Sequence, residues 1–305
     1  MTGMRPRARA GYLELVLLGV LWGSIGVIVE PIRVGAAGIA LVRTATGFLL
    51  ALGYMALRGR IRLLRLSQRR WLMVADGVLL GAHWTLMFEA FNRLSVGTAI
   101  LLVFTGPVFV ALAAWPVLRE RVEIRTVGAL ALSLAGMALI AVPAWDVQDP
   151  AGVVFAMLSA VAFAAIMLAG KQLTRVYAPA TILVWQLGIA ALSIAPVALA
   201  GSFDGFAGAL PRLLMLGALH TAVAGFVYFG ALAIVKAQHV GVLTYLEPAT
   251  AIVYAWAILH QTPSVSTIAG GALIVFGGLW IVFAKGPLAG TPEAPVAPGR
   301  SALHN

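Results

Sequence analysis

The 305-residue chain is 61% hydrophobic and only 10% charged, with a formal net charge of +10 and no cysteine. Soluble domains average about 45–50% apolar and about 25% charged residues, so the composition excludes a cytosolic enzyme and indicates a polytopic membrane protein. Without cysteine there are no disulfides, thiolate metal sites or cysteine nucleophiles, and no catalytic set, metal or cofactor is expected.

A helix crosses about 30 Å of hydrocarbon with ~20 apolar residues, and ten runs of that kind follow one another. The first, 12–29, comes after Arg5, Arg7 and Arg9. That start looks like a signal peptide, but the apolar run is too long for one and is read as an uncleaved first helix. The second, 35–57, carries Arg43 inside it; the third, 72–92, carries Asp76, His83 and Glu89. The fourth, 95–116, holds Phe104, Thr105 and Pro107, and the fifth covers 126–143. The sixth covers 150–170, and the seventh, 180–200, has Trp185 and Gln186. The eighth, 213–234, has His220 and Tyr228; the ninth, 239–259, has Tyr245, Glu247 and Pro248; the tenth covers 266–284. Residues 286–305 combine small residues with Pro287, Pro292, Pro295 and Pro298, which predicts a disordered tail.

The basic residues alternate in step with these runs. With the N-terminus inside, 17 of the 21 fall in cytoplasmic segments, three (Arg33, Arg93, Arg212) on the other side, and Arg43 alone within a span. Such asymmetry orients a membrane protein, here in the cytoplasmic membrane with both termini cytoplasmic. The six arginines from Arg58 to Arg70 are read as orientation and anionic-lipid contacts, not as a nucleic-acid site.

The chain also repeats itself. Laid on itself so that Phe88 falls on Phe229, the stretch Phe88–Val142 aligns without gaps on Phe229–Phe283, with 12 of 55 positions identical. The matches include Pro107/Pro248, Trp115/Trp256 and Gly136/Gly277. The halves are therefore 1–146 and 147–285, with five helices each. An odd number makes the second half enter from the opposite side, an inverted repeat of the kind secondary transporters use.

Each half resembles an EamA domain of the drug/metabolite transporter superfamily. The likeness is carried by Phe88 to Pro107, by Phe229-Gly-Ala-Leu232 continuing to Leu243-Thr-Tyr-Leu-Glu-Pro248, by Leu118-Arg-Glu-Arg121, and by the glycine-spaced helices Gly128–Gly136 and Gly270–Gly278. Gln261 departs from the pattern, standing where a second copy usually has glutamate. Phe104-Thr-Gly-Pro107 is locally similar to the amino-acid-exporting branch. The resemblance implies an all-α membrane fold of ten helices and export of small polar metabolites by alternating access. Two fused repeats make a monomer sufficient and leave a dimer open.

Candidate site residues are those whose polarity the membrane makes costly. Arg43 is read either as a ligand for a substrate carboxylate or as a structural partner of Glu89 or Glu30. Glu247 is read as a proton-coupling or amine-binding group, or as a hydrogen-bonded structural carboxyl. His83 and His220 are the intramembrane histidines, with Asp76 and His83 on one stripe of the third helix, where they could relay protons. Pro107 and Pro248 are expected to bend helices four and nine and free backbone carbonyls toward a cavity. Trp22, Phe104, Thr105, Trp185, Gln186, Tyr228 and Tyr245 complete the expected lining, with Phe104 and Tyr245 equivalent across the repeat. A facilitator without coupling, a lipid or lipid-linked-sugar flippase, and an integral-membrane enzyme are the rival readings. No Gly-x4-Gly-Lys-Ser/Thr string supplies nucleotide energy.

Overall fold

The protein is described here by a computed structural model covering residues 6–147 and 149–283; the expected disordered tail lies outside the described residues. Ten helical segments are long and apolar enough to cross a bilayer. Spans 1 to 5 are Arg7–Val29, Ala36–Leu57, Arg70–Arg93, Val96–Leu118 and Ile124–Ala141. Spans 6 to 10 are Pro150–Leu173, Pro179–Leu199, Phe206–Ile234, Ala237–Leu259 and Val265–Phe283. Among the described residues there is no strand.

Span 8 starts at Phe206 rather than at 213. Gly205, at φ +69°, turns the chain, and the added residues bury Ala209 and Leu213 against Val34 and Ile39. Arg212 thereby sits on the exposed face of the helix instead of in a loop.

Both prolines lie beside breaks in their helices. Span 4 splits into Val96–Val103 and Gly106–Leu118, and span 9 into Ala237–Thr244 and Leu246–Leu259. Pro107 lies in the first turn of its second half-helix, where the missing N–H costs nothing. Span 1 also breaks, at Ser24, between Pro6–Gly23 and Ile25–Val29.

The inverted repeat is written in the backbone. Arg119 and His260, equivalent in the register that pairs Phe88 with Phe229, both end their helices in the left-handed region, at φ 62° and 55°. The next amides close the same turn: Glu120 N–H donates to Ala114 O at 3.2 Å, and Gln261 N–H to Ala255 O at 3.2 Å. Spans 5 and 10 then pack through equivalent small residues. A Cβ on Gly136 would lie 2.5 Å from Gly270 O, and one on Gly277 would lie 3.0 Å from Ala129 O. Gly136 and Gly277 are repeat equivalents, and so are Ala129 and Gly270, so the two contacts exchange under the repeat. Because the contacts run antiparallel, the two-fold axis is perpendicular to both helices and lies in the membrane plane, as inverted topology requires.

The halves interlock along the other helices. Span 3 packs on spans 6 and 7, span 2 on span 7, and span 1 on spans 8 and 9. Glycines of span 1 bring it onto span 9: a Cβ on Gly23 would stand 2.0 Å from Thr250 Oγ1, which donates to Gly19 O at 2.9 Å.

Candidate functional site

Arg43 enters the bundle seven residues into span 2, roughly 10 Å along the helix at 1.5 Å per residue. A charge near mid-membrane costs ~2.5–3.5 kcal/mol on insertion scales, so its surroundings must offset that. Its Nε donates to Thr221 Oγ1 at 3.1 Å, and its guanidinium lies 4.7 Å from the centre of the Trp84 ring. Both partners are donated by other spans.

The expected structural pair does not form. Glu89 instead pairs with Arg93, one turn along the same helix, at 3.5 Å, and Arg93 also binds Asp149 at 2.9 Å. Glu30 makes no ion pair among the described residues. The carboxylate that acts on Arg43 is Glu247, from the other repeat. The two stand beyond the 4.0 Å of an ion-pair contact. Both are partly accessible, and each acts on the other electrostatically without an ion-pair contact.

Backbone irregularities gather beside Arg43. Thr221 and His220 ride on a π-helical turn, Ala218–Val223, of the kind that recurs at functional sites. His220 Nε2 meets Ser24 Oγ at 2.9 Å, beside the break in span 1. Trp22 Nε1 donates to His220 O at 3.2 Å, and its ring packs 5.9 Å from that of Tyr228. The Phe104/Tyr245 equivalence becomes a contact: the rings are 5.9 Å apart, and Tyr245 Oη donates to Phe104 O at 2.6 Å. The two broken helices thus meet at their breaks, near Pro107 and Pro248. Thr105 Oγ1 closes its own turn on Leu102 O at 2.6 Å.

Other candidates go elsewhere. Asp76 is wholly buried and accepts from Gln186 Nε2 at 2.8 Å through Oδ2, while Oδ1 has no hydrogen-bond partner. His83 turns to span 6, where its Nδ1 is 2.9 Å from both Ser159 Oγ and Ser159 O. Asp76 and His83 share a helix stripe but, among the described residues, no partner. Trp185 Nε1 donates to Leu64 O at 2.9 Å, in the arginine-rich link between spans 2 and 3.

Sequence reasoning missed Trp84 and Thr221, which carry no charge, and Lys171, which it counted in a loop. Lys171 lies inside span 6, buried, and donates to Leu232 O and Val235 O, each at 2.6 Å. It belongs to a cluster at the basic end of the bundle. Glu120 Oε2 accepts from Ala237 N–H at 2.9 Å and its Oε1 stands 4.0 Å from Lys171. Glu123 binds both Lys236 and Arg125. His239, fully buried, stands 4.0 Å from Glu123 and meets Tyr12 Oη at 2.5 Å. Burial pushes the Glu120 carboxyl above its ordinary value of 4.5, against the opposing pull of Lys171. Burial acts on Glu123 in the same sense, but its bonds to Lys236 and Arg125 outweigh that and hold it below 4.5.

Ten spans in two inverted halves, with polar groups gathered where the halves meet, define a membrane transporter. The model of the EamA-like transporter family matches twice, over residues 9–142 and 150–283, and the chain belongs to that family. It is similar to a riboflavin transporter of Rhizobium johnstonii, 28% identical over 90% of this chain and 92% of that protein. It is also similar to the threonine/homoserine exporter RhtA of Escherichia coli, 28% identical over 79% of this chain and 80% of that one. A protein crystal structure at 19% identity shares the fold, with a TM-score of 0.77 over 91% of this chain and 97% of that one.

Proposed function

We propose that this transporter is a secondary exporter of small polar metabolites, amino acids or compounds related to them. It works by alternating access, with its basic end and both termini in the cytoplasm. The carrying observation is a guanidinium and a carboxyl, Arg43 and Glu247, contributed by opposite repeats within electrostatic reach of each other, with Arg43 bonded to the π-turn. In inverted-repeat transporters the site lies at the repeat interface near the midplane; that Arg43 and Glu247 come from different repeats and lie inside spans 2 and 9 supports such a site here. A carboxylate ligand suits Arg43, with its planar guanidinium supported by Trp84. An ammonium group, or a transported proton, suits Glu247. The exporter RhtA among the relatives supports an amino-acid substrate, and the riboflavin transporter supports a polar one.

Lipid flipping is the less favoured reading. An apolar groove of about 500 Å³ lies between spans 9 and 10, with Thr267 and the Trp256 indole its only polar side-chain groups among the described residues. It offers a headgroup no polar path. Counterflow in proteoliposomes loaded with amino acids, nucleotide sugars or cationic drugs tests the proposal. Accelerated uptake of labelled amino acid is expected; lipid scrambling without counterflow of any solute would overturn it.

A further inference from the structure

The internal repeat allows one end of the bundle to be compared with the other, residue against residue. At the basic end, the link between spans 4 and 5 belongs to the first repeat and is held by the second. Glu120 takes Ala237 N–H and approaches Lys171, Glu123 takes Lys236, Gln238 Nε2 donates to Arg121 O at 2.9 Å, and Arg175 donates to Leu118 O at 3.2 Å. The repeat register gives the equivalents at the other end. Glu120 becomes Gln261, Glu123 becomes Ser264 and Lys236 becomes Ser95, and the same offset, which also separates the starts of the two family matches at residues 9 and 150, sets Lys171 against Glu30. Among the described residues, no ion pair joins these four. Ser264 bonds Ser266 and Thr267, in and beside its own loop. Among the described residues no hydrogen bond joins loop 260–266 to the first repeat.

The fold is therefore symmetric in backbone and asymmetric in what closes its two ends. We infer that the Glu120–Glu123–Lys171–Lys236 cluster is an ionic latch closing the basic end, so that the carrier rests open toward the opposite face. This rests on the alternating-access reading above. Rocking the repeats apart at the basic end separates carboxylates of one half from ammonium groups of the other. Removing one member of a partly buried pair leaves its partner uncompensated. At the other end the ion pair between the repeats is Arg93–Asp149, whose side chains are 40% and 38% exposed and so contribute little; the groups equivalent to the latch there are mostly hydroxyls and an amide, which are readily rehydrated. The latch thus biases which side the central site faces at rest, and hence the side from which substrate is met first.

The absence of cysteine makes the test direct. Val240 is fully buried, one turn deeper in span 9 than Lys236. In full-length Val240→Cys, a membrane-impermeant maleimide applied to the basic face should label slowly. Adding Glu123→Gln and Lys236→Gln should speed labelling about tenfold, the population shift that about 1.4 kcal/mol produces. The charge swap Glu123→Lys with Lys236→Glu should slow it again. Unchanged labelling in the neutralised protein would overturn the latch. If that protein fails to fold, Glu123→Cys with Lys236→Cys bridged by a short bifunctional thiol reagent decides the matter. Bridging should stop counterflow reversibly, and counterflow that continues through the bridge would overturn the latch. Failure of counterflow for every solute in the unbridged parent speaks instead against the transport reading and leaves the labelling result intact.

Discussion

Tyr245→Phe tests how the two broken helices are joined. Pro107 has no N–H, and Val108 N–H turns back to Thr105 O at 2.9 Å, so Phe104 O has no donor from the next turn of its own helix. Tyr245 supplies one from the other repeat at 2.6 Å. The tyrosine is wholly buried and Phe104 is partly so, so losing the hydroxyl leaves a sheltered acceptor without its donor. Leaving such an acceptor unsatisfied costs about 1–3 kcal/mol in soluble proteins. Interhelical bonds in membranes average ~0.6 and reach ~1.7 kcal/mol. An acceptor with no donor from its own helix places this case at the upper end, about 1–2 kcal/mol. Phenylalanine keeps the ring contact with Phe104, so the loss isolates the hydrogen bond. Denaturant unfolding of the purified protein in detergent should show a lower midpoint with unchanged slope. Tyr245→Leu should lose more, since the ring contact goes as well. A Tyr245→Phe protein as stable as its parent would refute the claim that this hydroxyl ties the two breaks together.

Gly270→Leu should destabilise the protein by about 1–3 kcal/mol through overpacking, because even a Cβ there lies 2.4 Å from Gly136 O; detergent-unfolding midpoints check it. Arg43→Lys should fold normally yet lose about tenfold or more in substrate affinity, since a point charge cannot reproduce a planar fork stacked on Trp84; unaltered binding of the counterflow substrate would remove Arg43 from the site. The latch should open on the acid side of 4.5. Glu123 has a depressed pKa, so its contribution is complete above the ordinary value and is lost as pH falls through the depressed one. Lys236, Arg125 and His239 are the groups facing it. The raised pKa of Glu120 has the opposite sign. Spin-label distances across the basic end should therefore lengthen in acid in the parent and in Glu120→Gln, but show no such step in Glu123→Gln.

The ten spans, the basic end, the family resemblance and the repeat register are all legible in the amino-acid order. Hydropathy and loop charge are local properties, and a duplication preserves spacing, so Arg119 and His260 adopt the same cap at equivalent places. Span 8 begins earlier than hydropathy indicates because Pro211 and Arg212 look like a loop until Ala209 and Leu213 are seen buried. Which partner each polar side chain takes is settled by tertiary packing alone. Arg43 takes Thr221 and Trp84 rather than Glu89, His83 is held by Ser159, Asp76 by Gln186, and Trp185 by a loop carbonyl. Those choices depend on how each helix is rotated and which neighbour it meets. Rotation in a bilayer is set by close packing of small residues, as at Gly136 and Gly270, and hydropathy, being nearly uniform around such helices, carries no record of it.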